Sequence, residues 1–163
     1  RPDNTGGFLP IGRIAIGDQV MLGAASDLFG QGWIVDAEVS RQASEVVPIV
    51  EQLGDQGRLG ETVVIHVGTN GTISPEDLAA IMTALSSVPD VQVLTVAVDR
   101  DWASGNNDLI RQLPAQFPNV SVIDWAELSK TCPGDCFYED GMHLRPDGQR
   151  FYEQLINTAT APN

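Results

Sequence analysis

The sequence predicts an α/β domain, a three-layer α/β/α sandwich on a five-stranded parallel sheet. Five short apolar runs rich in Val and Ile recur along the chain, at Arg13–Gly17, Trp33–Asp36, Glu61–Val67, Val91–Val98 and Val120–Asp124. Between them lie stretches whose apolar residues recur at helical spacing, so strand and helix alternate. The third run, Thr62-Val63-Val64-Ile65-His66-Val67, is β-branched and nearly continuous, as a central parallel strand covered on both faces requires.

In chain order, residues 1–12 carry Pro2, Gly6, Gly7 and Pro10 and read as a linker or N-terminal arm. A strand at 13–17 leads through Gly17-Asp18 into a helix over about 19–29, stopped at Gly30 as a C′ residue. After the second strand, Val46, Val47, Ile49, Val50 and Leu53 give helical spacing over 44–56, with Pro48 placed in the first turn. Ser74-Pro75-Glu76-Asp77 opens the next helix, which runs to about Ser87, with Ser74 as N-cap and Pro75 at the first helical position. Another helix is expected over 106–117, an irregular stretch over 131–142, and a last helix from Pro146 with Phe151, Tyr152, Leu155 and Ile156 inward. The domain so defined covers 13–158, leaving 159–163 as a tail.

The chain has 163 residues, which fits one domain with a full core. Nine basic residues stand against 22 acidic ones, a net charge of −13, which excludes nucleic acid and anionic membrane as partners because each phosphate contact needs a cation. The absence of a starting Met and of any apolar run long enough for a bilayer predicts a soluble piece excised from a longer protein, a monomer as a fragment. No Asp-rich loop has calcium-site spacing, and no metal or other cofactor is expected. The two cysteines, Cys132 and Cys136, flank Pro-Gly-Asp. That turn permits a local disulfide, and hence an oxidising, extracytoplasmic address; free thiols are the alternative. Zinc would need two more ligands, and His66 and His143 are not spaced for it.

Ligand sites in such folds lie beyond the carboxyl ends of the strands. Five loops fall on that edge: 17–19, 36–41, 68–71, 99–107 and 140–143. Asp140 and His143 are close enough in sequence to form a dyad in which the carboxylate fixes the imidazole tautomer, as a general base requires. Gly68-Thr69-Asn70-Gly71 offers backbone N–H groups and a carboxamide, donors of the kind that stabilise an oxyanion, and the Ser40 N–H is a further donor. Each of these could instead be an ordinary loop. His66, in a buried strand, reads as a hydrogen-bonded core histidine, and Trp33 and Trp125 as core; Arg41 could hold a carboxylate or phosphate, or form a surface salt bridge.

In this order the segments resemble the SGNH (GDSL-like) hydrolase family. Its four blocks read here Gly17-Asp18-Gln19, Val39-Ser40-Arg41-Gln42, Gly68-Thr69-Asn70-Gly71 and Asp140-Gly141-Met142-His143. With Val20-Met21-Leu22-Gly23-Ala24, Asp36-Ala37, His66-Val67, Trp102, Asn107 and Leu144, the set is similar to one subgroup. That subgroup is the extracytoplasmic SGNH domain fused to the membrane acyltransferase-3 domain of bacterial cell-wall and polysaccharide O-acetyltransferases. The resemblance covers about residues 12–157 and implies the flavodoxin-like SGNH hydrolase fold, an acyl donor and a glycan acceptor as partners, and a cell-surface location. It implies a two-step acyl transfer in which a Ser takes an acetyl group and passes it to a sugar hydroxyl or water. His143 would be the base, Asp140 its orienter, Gly68, Asn70 and the Ser40 N–H the oxyanion donors, and Trp102, Asn107 and Arg41 the acceptor pocket.

The departure is Gln19, which stands where the family has its Ser. A carboxamide nitrogen has a delocalised lone pair and cannot form an acyl intermediate. Ser26 lies roughly 10 Å further along the helix axis, and Ser40 would have to turn its side chain to His143. Three readings follow: an O-acyltransferase domain with altered or impaired chemistry, a non-catalytic glycan-binding pseudoenzyme, or an engineered inactive variant of an active enzyme.

Overall fold

The structure, a computed structural model, describes residues 12–161; the arm expected over 1–12 lies almost entirely outside them. Five strands, β1 (Arg13–Gly17), β2 (Ile34–Ala37), β3 (Thr62–His66), β4 (Asp90–Leu94) and β5 (Val120–Ile123), form one parallel sheet in the order β2-β1-β3-β4-β5. The chain leaves β1 outward to β2 and then crosses back to β3, so the order reverses at the β1/β3 pair. That reversal opens a crevice at the carboxyl ends, where Gly17 pairs with His66.

Alternate residues of each strand feed two cores. Ile14, Ile16, Val63, Ile65, Val91 and Val93 pack under α3 (Ala43–Asp55), α4 (Pro75–Ala84), α5 (Ala103–Arg111) and α6 (Leu113–Gln116). Ala15, Val64 and Leu94 pack under α1 (Gln19–Gly23), α2 (Ala25–Gly30), α7 (Trp125–Leu128) and α8 (Pro146–Thr160), with Trp33, Trp125 and Tyr152 filling that side. The indole of Trp125 meets Tyr152 edge-on at 5.2 Å.

Several boundaries differ from expectation for local reasons. The helix expected over 19–29 is two helices, because beyond Gly23 the Ala24 N–H turns to the Met21 carbonyl at 2.9 Å, a tighter turn. Gly30 is helical, and the left-handed residue is Gly32 (φ 88°). There Trp33 N–H reaches Leu28 O at 3.1 Å and Gly32 N–H reaches Phe29 O at 3.0 Å, a Schellman closure. Pro48 falls beyond the first turn of α3, on its exposed side, where water can satisfy the carbonyl it leaves free. The strand expected over 91–98 ends at Leu94, since Asn107 takes both backbone groups of Val96, accepting from its N–H at 2.8 Å and donating to its carbonyl at 3.0 Å. The helix expected over 106–117 begins at Ala103 and breaks before Leu113-Pro114. Ser74 caps α4 as expected, accepting from the Asp77 N–H at 3.0 Å, and α8 runs to Thr160, beyond the expected boundary at 158.

Cys132 and Cys136 form a disulfide across a Cα–Cα distance of 6.3 Å. The strap it closes lies on α8: a Cβ added at Gly148 would stand 2.2 Å from the Cys136 carbonyl oxygen. Gly148→Ala is therefore expected to destabilise the domain by about 1–3 kcal/mol through overpacking, although alanine is worth up to about 1 kcal/mol more than glycine inside a helix. Urea unfolding measures this; an unchanged or raised midpoint would show that the strap does not press on the helix.

Candidate active site

Asp18, fully buried, folds the turn after β1. Its N–H donates to the His66 carbonyl at 3.1 Å, and its Oδ1 accepts the Val20 N–H at 3.0 Å, capping α1. The next residue, Gln19, is thereby presented at the sheet edge. Its Oε1 accepts two hydrogen bonds, from the Ser40 N–H at 3.1 Å and from Asn70 Nδ2 at 2.9 Å. Its Nε2 donates to Asn70 Oδ1 at 2.7 Å, so the two carboxamides are paired reciprocally.

Each donor is held by its own local structure. Ser40 has φ 65°, the one positive value at a non-glycine among the described residues. Such a conformation costs a side-chain-bearing residue about 1–2 kcal/mol, and here it aims the N–H at Gln19. Asn70 also donates to the Arg41 carbonyl at 3.1 Å, and its own carbonyl accepts from Gln42 Nε2 at 3.0 Å. Gly68 (φ 113°) shapes the turn rather than donating to Gln19. Its carbonyl accepts from Asn106 Nδ2 at 2.9 Å, and a Cβ there would crowd Ile73, Asn106 and Val96.

Two residues expected in a ligand pocket are otherwise engaged. Arg41 forms the expected salt bridges, but from a guanidinium only 4% exposed, and it is not a free anion receptor. It ties the 36–41 loop to β1 by donating to Asp36 O at 2.8 Å and Gly17 O at 3.3 Å and pairing with Asp36 at 2.9 Å and Glu38 at 3.4 Å. Asn107 is committed to Val96, as above. Trp102 is half-buried and donates to the Thr69 carbonyl at 3.1 Å, joining the 99–107 loop to the site. A cleft of about 400 Å³ opens beside it, lined by Val96, Asp99, Ala103, Asn107, Asp140 and Gly141 among others.

Asp140 and His143 meet as expected. Asp140 Oδ2 lies 2.5 Å from His143 Nδ1, and Oδ1 accepts the backbone N–H groups of Met142 at 2.9 Å and His143 at 3.0 Å. The His143 side-chain contact, then those two N–H groups, hold the carboxyl down at about 2. The dyad is half-exposed, and the ring's Nε2 makes no hydrogen bond among the described residues. A Cβ added at Gly23, one turn beyond Gln19 on α1, would stand 3.7 Å from Leu144 Cβ, so the residue after His143 lies beside the helix that presents the carboxamide.

No family model matches the sequence. The chain is 31% identical over 123 residues to the O-acetyltransferase OatA of Staphylococcus aureus, covering 75% of this chain and 20% of that protein. The C-terminal catalytic domain of peptidoglycan O-acetyltransferase A (OatA) of Streptococcus pneumoniae, solved with a methylsulfonyl adduct, superposes at a TM-score of 0.77. It is 24% identical, over 93% of both chains. A protein of Slackia heliotrinireducens described as an SGNH hydrolase gives 0.66 at 14% identity, over 93% of this chain and 100% of that one. The chain is homologous to part of OatA and has the fold of these SGNH-hydrolase-like structures. It spans about a fifth of the length of the OatA protein it matches.

In this OatA-like domain, His66 is the buried core residue that its strand implied. Its Nδ1 lies 2.7 Å from the Tyr152 hydroxyl, and burial pushes its pKa down, opposed by the Asp18 carboxylate. The sequence assigned no role to Asn106, nor to Gln42 within the second block. Asn106 accepts from Ile73 N–H at 2.8 Å and donates to the Gly68 and Gly71 carbonyls, bracing the third block. The signal available was a poor helix former, Asn, doubled inside a helical stretch. For Gln42 it was Glu45 three residues on, a capping box.

A carboxyl depressed in the folded state adds stability above its unfolded value near 3.8 and loses it as pH falls toward about 2; half-exposed, Asp140 adds little. His143→Ala removes the largest cause, so the Asp140 midpoint is expected to rise without reaching 3.8, because the backbone N–H donors remain. Carboxyl-carbon NMR titration reads it directly. An unmoved midpoint would mean that the imidazole does not hold the carboxylate.

Proposed function

We propose that this is the extracytoplasmic SGNH domain of a cell-envelope polysaccharide or peptidoglycan O-acyltransferase, one that meets the glycan acceptor without forming a covalent acyl intermediate on its own chain. The observation that carries this reading is the convergence of two oxyanion-type donors on one carbonyl oxygen, supplied by a side chain that cannot attack. The named activity of the OatA relative supports acetyl as the acyl group and peptidoglycan or a related glycan as acceptor. The disulfide supports an oxidising compartment on the cell-surface side of a bacterial membrane. No helix among the described residues is long and apolar enough to cross a membrane, so a fused membrane acyltransferase domain would lie elsewhere in the protein.

In this reading His143 is the base, Asp140 fixes its tautomer, and the Ser40 N–H and Asn70 Nδ2 are the oxyanion donors. Gly68 holds the third block in shape, Arg41 positions the Ser40 loop, and Trp102 and the neighbouring cleft receive the acceptor. With a hydroxyl at position 19, His143 would take its proton as the oxygen attacked the acyl carbon. The tetrahedral oxyanion would sit between Ser40 and Asn70 and collapse as the donor's leaving group departs with the proton handed on by His143, which restores the neutral imidazole. A sugar hydroxyl, deprotonated by the same imidazole, would then take the acyl group. Gln19 stops the first of these steps and leaves the rest of the apparatus assembled.

The test is hydrolysis of an activated acetyl ester. The unsubstituted chain is expected near the uncatalysed rate, Gln19→Ser at least about 10²-fold above it, and Gln19→Ser with His143→Ala back near baseline. Turnover by the unsubstituted chain that His143→Ala abolishes would replace this reading with water activated by the dyad. No gain in Gln19→Ser would mean the catalytic apparatus is not in place.

A further inference from the structure

The side chain of glutamine beyond Cα runs Cβ, Cγ, then a planar carbon carrying one oxygen and one nitrogen. O-acetylserine runs Cβ, Oγ, then a planar carbon carrying one oxygen and one methyl. The two match atom for atom in connectivity and in the trigonal geometry of the terminal group. In this domain the match is also positional: the Gln19 carbonyl oxygen accepts from the Ser40 N–H and from Asn70 Nδ2, the bonds an acyl carbonyl would receive. The amide nitrogen, standing where the acyl methyl would be, has a bond no methyl could make, to Asn70 Oδ1 at 2.7 Å. Gln19 is 9% exposed, and Asn70 is held from behind by the Arg41 carbonyl and Gln42.

We propose that Gln19 is a permanent stand-in for the acetylated nucleophile, its carboxamide filling the acyl seat so that the domain is held in the form that meets an acceptor hydroxyl and is closed to acyl donors. This rests on the reading of the site as an acyl-transfer site, and adds that the seat is occupied from within. An amide resists attack because its nitrogen lone pair is delocalised into the carbonyl, so the seat stays filled. An incoming ester has no free donor pair for its carbonyl oxygen while Gln19 holds both.

The inference makes the seat separable from the side chain. Gln19→Ala removes a fragment with the shape of acetamide and frees the Ser40 N–H and the Asn70 carboxamide. Acetamide in solution is then expected to raise the thermal unfolding midpoint of Gln19→Ala saturably. The unsubstituted chain and Gln19→Ala with Asn70→Ala should not respond, nor should Gln19→Ala with isobutyramide, whose branch the seat would not admit. If the alanine variant does not fold, Gln19→Ser empties the same seat and carries the same comparison. An equal response from the unsubstituted chain, or none from the emptied variants, overturns the inference. Ester turnover by Gln19→Ser is a separate readout. A saturable acetamide response without turnover supports the filled seat and removes the acyl-transfer ancestry. Turnover without an acetamide response removes the filled seat alone.

Discussion

The structure turns on a buried amide meeting three chain segments at the sheet's reversal point. Gln19 comes from the end of β1, Asn70 from the loop after β3, and Ser40 from the loop after β2. Parallel pairing puts all three loops on one edge, and the reversal of strand order between β1 and β3 leaves the gap into which they turn. Hydrogen bonds close that gap, with two donors on the Gln19 carbonyl oxygen and its amide nitrogen donating to Asn70 Oδ1. A half-satisfied network at this depth would cost more than it gives.

Holding the loops has its own energetic logic. Ser40 adopts a left-handed backbone that its Cβ disfavours, and Arg41 brings a guanidinium into a 4% exposed position. The guanidinium is tolerable because two carboxylates and two carbonyls surround it, and those carboxylates, at 45% and 66% exposed, keep their own contact with water. Strain at one residue and desolvation at the next both serve one end, an N–H pointed at the position 19 side chain. Asn106 does similar work with no charge, gathering the Gly68 and Gly71 carbonyls of the third block and the Ile73 N–H beyond it. Such investment keeps the Ser40 N–H and the Asn70 carboxamide aimed at position 19.

Much of this was legible from the residues. The β-branched run ending at His66 fixed a central strand, and the Ser74-Pro75 start fixed a helix, because each depends on chemistry within a few residues. The four blocks gave the edge on which the site lies and the Asp140–His143 pair. What could not be read was how long side chains are employed across the fold. Arg41 and Asn107 looked like ligand contacts, since sequence shows their polar groups and not the carbonyls 5 and 11 residues away that engage them. The early end of β4 likewise comes from a partner outside the strand, Asn107, which takes both backbone groups of Val96. From sequence alone Gln19 showed only that a carboxamide, and no hydroxyl, follows Gly17-Asp18. Only the structure shows that its oxygen accepts from both the Ser40 N–H and Asn70 Nδ2.

The most direct measurement is the long-range scalar coupling across the hydrogen bond from the Ser40 amide nitrogen to the side-chain carbonyl carbon of Gln19. A resolved coupling, together with slow exchange of the Ser40 amide proton, is the expected result. No coupling, with that proton exchanging as fast as an open loop N–H, would contradict an amide seated between Ser40 and Asn70.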